Sequence, residues 1–179
     1  MARTLVVLVH PDLGASRVNA ALAAGVRDLS NVTVHDLYAA CPDLHIDVAR
    51  EKRLLEEHDR VVLQFPFYWY SAPPLLKKWL DEVLERGWAY GPGGEALHGK
   101  RLQLVTAVGG QEELYRPDGL NRFPVRDLLS PFDATANLTG MRYEEPFVIH
   151  GSAYLDEREL EQQVRRYRSL LQESMSIVA

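Results

Sequence analysis

The chain has 179 residues, 46% of them apolar and 25% charged, with 20 basic residues against 25 acidic ones. Such values belong to an ordinary globular protein and exclude a chiefly disordered, collagenous or coiled-coil chain. A net charge of −5 argues against nucleic acid as a partner, which generally asks for a basic excess.

The length suits a single domain over 1–179, large enough to bury a core without metals or disulfides. No purely apolar run exceeds five residues (5–9 is one of that length), so no membrane span is expected. The N-terminal apolar stretch is too short for a signal peptide. A single cysteine, Cys41, excludes an intrachain disulfide and a cysteine-based metal cluster. The default expectation is a cytoplasmic protein.

Residues 4–9 are a β-branched and leucine run, expected as a strand buried on both faces of a parallel sheet. Val18, Ala21, Leu22, Val26 and Leu29 recur at helical spacing behind Ser16, a natural N-cap. A second strand is expected at 31–36 and a second helix at 47–58. A third strand at 60–64 runs into the aromatic segment 65–70. Pro73 and Pro74 then open a third helix, whose apolar face holds Leu75, Leu76, Trp79, Leu80, Val83 and Leu84. The fourth strand covers 100–108 and ends at Gly109 and Gly110. A helix over 125–138, a fifth strand over 146–150 and a last helix over 155–171 complete the series.

Strict βα alternation specifies an α/β fold: a doubly wound, five-stranded parallel sheet with helices on both faces. Right-handed crossovers leave 2-1-3-4-5 as the favoured strand order. In such sheets the ligand crevice lies outside the carboxyl ends of the strands, where the order reverses. Three segments should meet there: the loop after strand one, the aromatic run after strand three, and the end of strand four.

Each segment has a chemical use and a plainer structural one. The first carries His10, Ser16, Arg17, Val18 and Asn19 at a helix N-terminus, a workable phosphate seat, although Ser16 could serve only as a cap. The second places Phe67, Tyr68, Trp69 and Tyr70 on a surface connection, where a planar ligand or a subunit interface would cover them. The third, Ala107, Val108, Gly109 and Gly110, lets backbone approach a ligand, or is a simple turn. The near-match to a nucleotide-binding P-loop at 94–101 fails, because Arg101 stands where Ser or Thr would hold magnesium and a strand follows instead of a helix. The six histidines show no metal-ligand spacing, so no metal is expected.

Taken together, these stretches resemble a known family. His10-Pro11, Ser16-Arg17-Val18-Asn19, Trp69-Tyr70-Ser71-Ala72-Pro73-Pro74, Gly87-Trp88-Ala89-Tyr90-Gly91, Gly109-Gly110 and Pro146-Phe147 occur in the order found in flavodoxin-like NAD(P)H:quinone oxidoreductases. The resemblance is strongest to the small bacterial branch that includes the ancillary subunits of glutathione-gated potassium-efflux (Kef) systems. It implies bound FMN, with FAD as the alternative, and NAD(P)H as co-substrate. His10 and residues 16–19 would then hold the phosphate, 67–70 would border the flavin ring, and 107–110 would approach its polar edge.

The resemblance also implies a homodimer and a quinone-like acceptor, with Tyr115 or His98 supplying a proton or orienting that acceptor. A one-electron carrier and a regulatory subunit of a potassium antiporter are the alternatives. Residues 115–123 depart from the potassium-efflux pattern, which weighs against the antiporter.

Overall fold

The computed structural model describes residues 2–173; residue 1 and residues 174–179 of the expected domain lie outside the described residues. Four strands form the body of the sheet: β1 (Thr4–Leu8), β2 (Val32–Asp36), β3 (Arg60–Pro66) and β4 (Arg101–Ala107). β1 and β3 are buried along their whole length, which is why their sequences carry no polar alternation. The sheet order is 2-1-3-4-5, with every pairing parallel.

The fifth position is divided. β5 (Arg142–Tyr143) and β6 (Phe147–Ile149) both pair with β4, at Leu102↔Tyr143 and Val105↔Phe147 respectively. Between them lie Glu144, Glu145 and Pro146. Proline has no amide to give the ladder, so the strand breaks at Pro146. The Gln103 side chain fills part of the gap by donating to the Glu145 carbonyl at 2.9 Å.

Helices cover both faces. α1 (Val18–Ala24) and α7 (Glu157–Glu173) lie on one, packing Val18, Leu22, Leu160, Tyr167 and Leu171 against Val6, Val62 and Val105. The other face carries α2 (Leu37–Ala40), α3 (Val48–Glu56), α4 (Pro74–Val83), α5 (Val125–Leu128) and α6 (Ser130–Leu138) over Leu5, Val7, Leu63, Phe65 and Leu104. The helix expected over 125–138 is two helices, because Pro131 opens a new first turn and cannot continue the old one. The side chains of Asp36 and Asp47 cap α2 and α3 by accepting the amides of Ala39 and Arg50.

The cores hold two polar constellations. Glu51, 2% exposed, accepts from Trp79 Nε1 at 2.9 Å and lies 2.9 Å from His35 Nε2, tying α3 to α4 and β2. On the α1–α7 face, buried Arg60 bonds Gln103 and pairs with Glu144 at 2.9 Å, beside the broken strand. No described helix is long and apolar enough to cross a membrane.

Candidate flavin site

The strand ends lie side by side, joined by three successive main-chain bonds. The amide of Val9 donates to Gln64, that of Phe67 to Ala107, and that of Val108 to Ile149, at 2.8, 3.0 and 2.8 Å. The three expected segments are thereby brought together. A fourth, residues 149–152, joins them: Gly151 donates to Gly110 and Ser152 to Val108, at 2.8 and 2.9 Å. Sequence reading missed this fourth segment, whose signal is only a histidine and a glycine after a short strand.

The aromatic run is a two-residue hairpin. Tyr68 and Ser71 exchange amide-to-carbonyl bonds of 3.2 and 2.9 Å around Trp69 and Tyr70. Both central residues have positive φ, 47° and 62°. That combination is a type I′ turn, normally built from Asn-Gly because a Cβ is strained there. Trp69 is 92% exposed, so packing within the subunit does not explain the strain. Strained backbone beneath exposed aromatic rings is a mark of a binding element.

Phe67, Tyr68, Trp69, Tyr70 and Tyr115 line a cavity of about 400 Å³. Phe67 meets the rings of Tyr70 and Tyr115 edge-on, with centroids 6.4 and 6.0 Å apart. A Cβ on Gly110 would stand 3.2 Å from Tyr115 Cε2 and 3.1 Å from Leu114 Cδ1, so a side chain there would crowd the ring. A Cβ on Gly109 would meet nothing within 4 Å, leaving the main chain open on that side. Desolvation by burial, then the neighbouring Tyr70, raise the Tyr115 phenol, which stays protonated at neutral pH.

At the first loop, His10 Nδ1 accepts the Asp12 amide at 3.1 Å, which leaves the ring's proton on Nε2. Burial lowers the pKa of His10, with Asp12 opposing, so the ring is a neutral donor. Ser16 Oγ accepts the Asn19 amide at 3.2 Å and caps α1. Asn19 is buried, and its carbonyl accepts from Gln64 Nε2 at 2.9 Å, fixing the start of α1 against β3.

Three expectations change. Arg17 does not offer its guanidinium to this loop: it bonds the Leu155 carbonyl and pairs with Glu157 at 2.8 Å, securing the start of α7. The side chain of Val18 is buried in the core, so only its main chain faces outward chemistry. His98 stands elsewhere. It precedes β4, packed where a Cβ on Gly140 would come within 2.2 Å, at the end of the sheet opposite Gly109 and Gly110. Seven residues of β4 at ~3.3 Å each put about 20 Å between them. Its place in the catalytic pair is therefore withdrawn.

His150 was not anticipated. Its Nδ1 is buried without a hydrogen-bond partner, and its ring lies 5.8 Å from that of Tyr115. Burial lowers its pKa, against the pull of Glu112 and Glu113. Gln64 Oε1 and Thr106 Oγ1 are likewise buried and unpartnered, both close to the strand ends.

An open doubly wound sheet with a strained aromatic slot at its switch point defines an α/β protein whose ligand crevice would lie at that slot. Comparison gives this class a family: residues 2–171 match the flavodoxin-like fold family, and the chain belongs to it. It is 46% identical over 165 residues to the glutathione-regulated potassium-efflux system ancillary protein KefG of Pectobacterium carotovorum subsp. carotovorum, covering 92% of this chain and 90% of that one. The structure of general stress protein 14 from Treponema denticola, in complex with FMN, superposes with a TM-score of 0.90 at 42% identity over 95% of this chain and 98% of that one. An NADPH-quinone reductase from P. pentosaceus superposes at 0.87 with 34% identity, covering 94% and 96%.

Proposed function

We propose that the chain is an FMN-dependent NAD(P)H oxidoreductase that passes two electrons to a quinone or similar planar acceptor. The observation that carries this reading is the strained hairpin of Trp69 and Tyr70, which holds aromatic faces over a slot of about 400 Å³. The residues present fit the cofactor: the slot is lined by aromatic rings, a Cβ at Gly109 would meet nothing within 4 Å, and Thr106 Oγ1, three residues before it near the end of β4, lacks a partner. The Treponema relative holds FMN, and the reductase relative uses NADPH and a quinone.

When bound, FMN would supply hydride chemistry, taking two electrons from NAD(P)H and giving them to the acceptor in alternate halves of a ping-pong cycle. The chain's task is positioning. Phe67, Tyr68, Trp69 and Tyr70 border the ring, and main-chain amides at Gly109 and Gly110 stand ready for negative charge on its polar edge. His10 Nε2–H, the Ser16 hydroxyl and the amides of Arg17 and Val18 at the start of α1 would serve the phosphate, while the Asn19 amide stays bonded to Ser16 Oγ. Tyr115, held protonated, donates to the acceptor at the mouth of the slot.

A second subunit completes the assembly. Between α4 and α6, next to the hairpin, lies an apolar groove of about 570 Å³ lined by Leu76, Leu80, Leu84, Phe132 and Leu138. A symmetric homodimer closing there would bring a partner's surface up to the slot. Similarity to the KefG protein supports a second reading, in which the same fold also serves as an antiporter subunit.

The test is to purify the protein, release and identify its flavin, and follow NAD(P)H oxidation with and without a quinone. Stoichiometric FMN and quinone-dependent turnover support the enzyme. A protein that stays colourless after incubation with FMN overturns it. Recovery of a multi-span antiporter with the tagged protein from membranes would establish the second reading.

A further inference from the structure

Residues 111–123 form a long connection after β4, and it is built rather than slack. Five main-chain bonds fold it on itself: Leu114 to Gln111, Gly119 to Arg116, Asn121 to Leu114, Arg122 to Gly119 and Phe123 to Asn121, between 2.8 and 3.1 Å. Gly119 is packed so close that a Cβ would stand 2.5 Å from the Glu113 carbonyl oxygen. Such self-packed loops behave as small rigid bodies. One end of this body carries Tyr115, a wall of the slot. The other end carries Asn121, whose Oδ1 accepts the Tyr70 hydroxyl at 3.1 Å.

We infer that Asn121 is a specificity-determining residue: its bond to Tyr70 latches the 111–123 loop to the aromatic hairpin and limits the width of acceptor that can enter. The inference rests on the reductase reading for its substrate and on this geometry for its site. The loop and hairpin meet the slot from two sides, through Tyr115 and Tyr70, and the Tyr70–Asn121 bond is the side-chain hydrogen bond that joins them. The bond is exposed, so it opens at small cost, and exposed Leu120 and Phe123 on the moving edge have no core to leave. One-ring quinones fit beneath a closed latch. Fused three-ring quinones require it open.

The experiment compares p-benzoquinone with anthraquinone-2-sulfonate as acceptors for the FMN-loaded protein. Asn121→Ala and Tyr70→Phe should each raise the ratio of kcat/KM for the larger acceptor over the smaller by about 3- to 10-fold, the range of one net hydrogen bond. The double variant should go no further than either single one, since both break the same bond. Asn121→Asp keeps the acceptor oxygen and should restore the parent ratio. A second readout needs no flavin: amide exchange across 111–123 should quicken in Asn121→Ala and not in Asn121→Asp. An unchanged ratio together with unchanged exchange overturns the latch. A protein without flavin or turnover overturns the reductase reading instead, and then the exchange arm still decides whether the bond holds the loop.

Discussion

The strain in the hairpin can be separated from the function of its side chain by comparing two variants at one position. Trp69→Ala removes the ring but keeps a Cβ at φ 47°; Trp69→Gly removes both. Since Trp69 is 92% exposed, losing the ring should change the stability of the flavin-free subunit by no more than about 0.5 kcal/mol. The second step releases about 1–2 kcal/mol of left-handed strain. Against it stands about 0.5–1 kcal/mol for the greater freedom of glycine in the unfolded chain. The net gain lies between about 0 and 1.5 kcal/mol, and a central value of about 0.75 kcal/mol moves the midpoint of a chain of this length by roughly 2–3 °C. Trp69→Gly should therefore melt above Trp69→Ala, by calorimetry on flavin-free protein. Both variants should bind FMN more weakly than the parent in a fluorescence titration. A glycine variant that melts below the alanine variant, or an undiminished FMN affinity in both, would refute the account of a turn kept strained for its ligand.

Three further outcomes are expected. Glu51→Ala should cost about 3 kcal/mol in denaturant unfolding, because it strands Trp79 Nε1 and the buried His35 ring together; a loss under 1 kcal/mol would deny the constellation its structural role. His10, His58 and His150 have pKa values lowered chiefly by burial. The unfolded chain then binds protons more readily, so stability is full above about pH 6.5 and falls as the pH drops below it. Melting at pH 7.5 and 5.5 should show that loss, and His58→Gln, which removes a ring bonded to Leu54 and Thr33, should flatten the slope. Tyr115→Phe should lower quinone-dependent kcat at least tenfold while the flavin stays bound; an unchanged kcat would show that the hydroxyl gives no proton.

The sheet order was legible because the apolar run of β1 marks a central strand and strict βα alternation with right-handed crossovers leaves few other orders. Local signals were less secure where one residue decides. Pro131 splits the expected helix and Pro146 marks the break in the fifth strand; both were visible, but neither shows from sequence whether an element bends, restarts or ends. At the site, the residues of the strand ends were found because topology alone sends them there. Arg17 misled because a cation beside a phosphate seat has the same sequence as a cation reaching across to Glu157, 140 residues on. The turn of Trp69 and Tyr70 could not be read at all, since its geometry asks for Asn-Gly. Asn121 and His150 carry no motif, and their importance comes from what they touch.

The bonds that pin Val108 and Gly110, on either side of Gly109, run from main chain to main chain, to residues 149–152. No side chain makes these bonds, so the floor of the slot is set by backbone, with Gly151 held as glycine by its φ of 63° and a Cβ position only 2.6 Å from Gln111 Oε1. The groups at the rim can therefore be changed while this backbone platform stays in place. An engineer seeking new acceptors should diversify the hairpin and the 111–123 loop and leave the glycine pair alone.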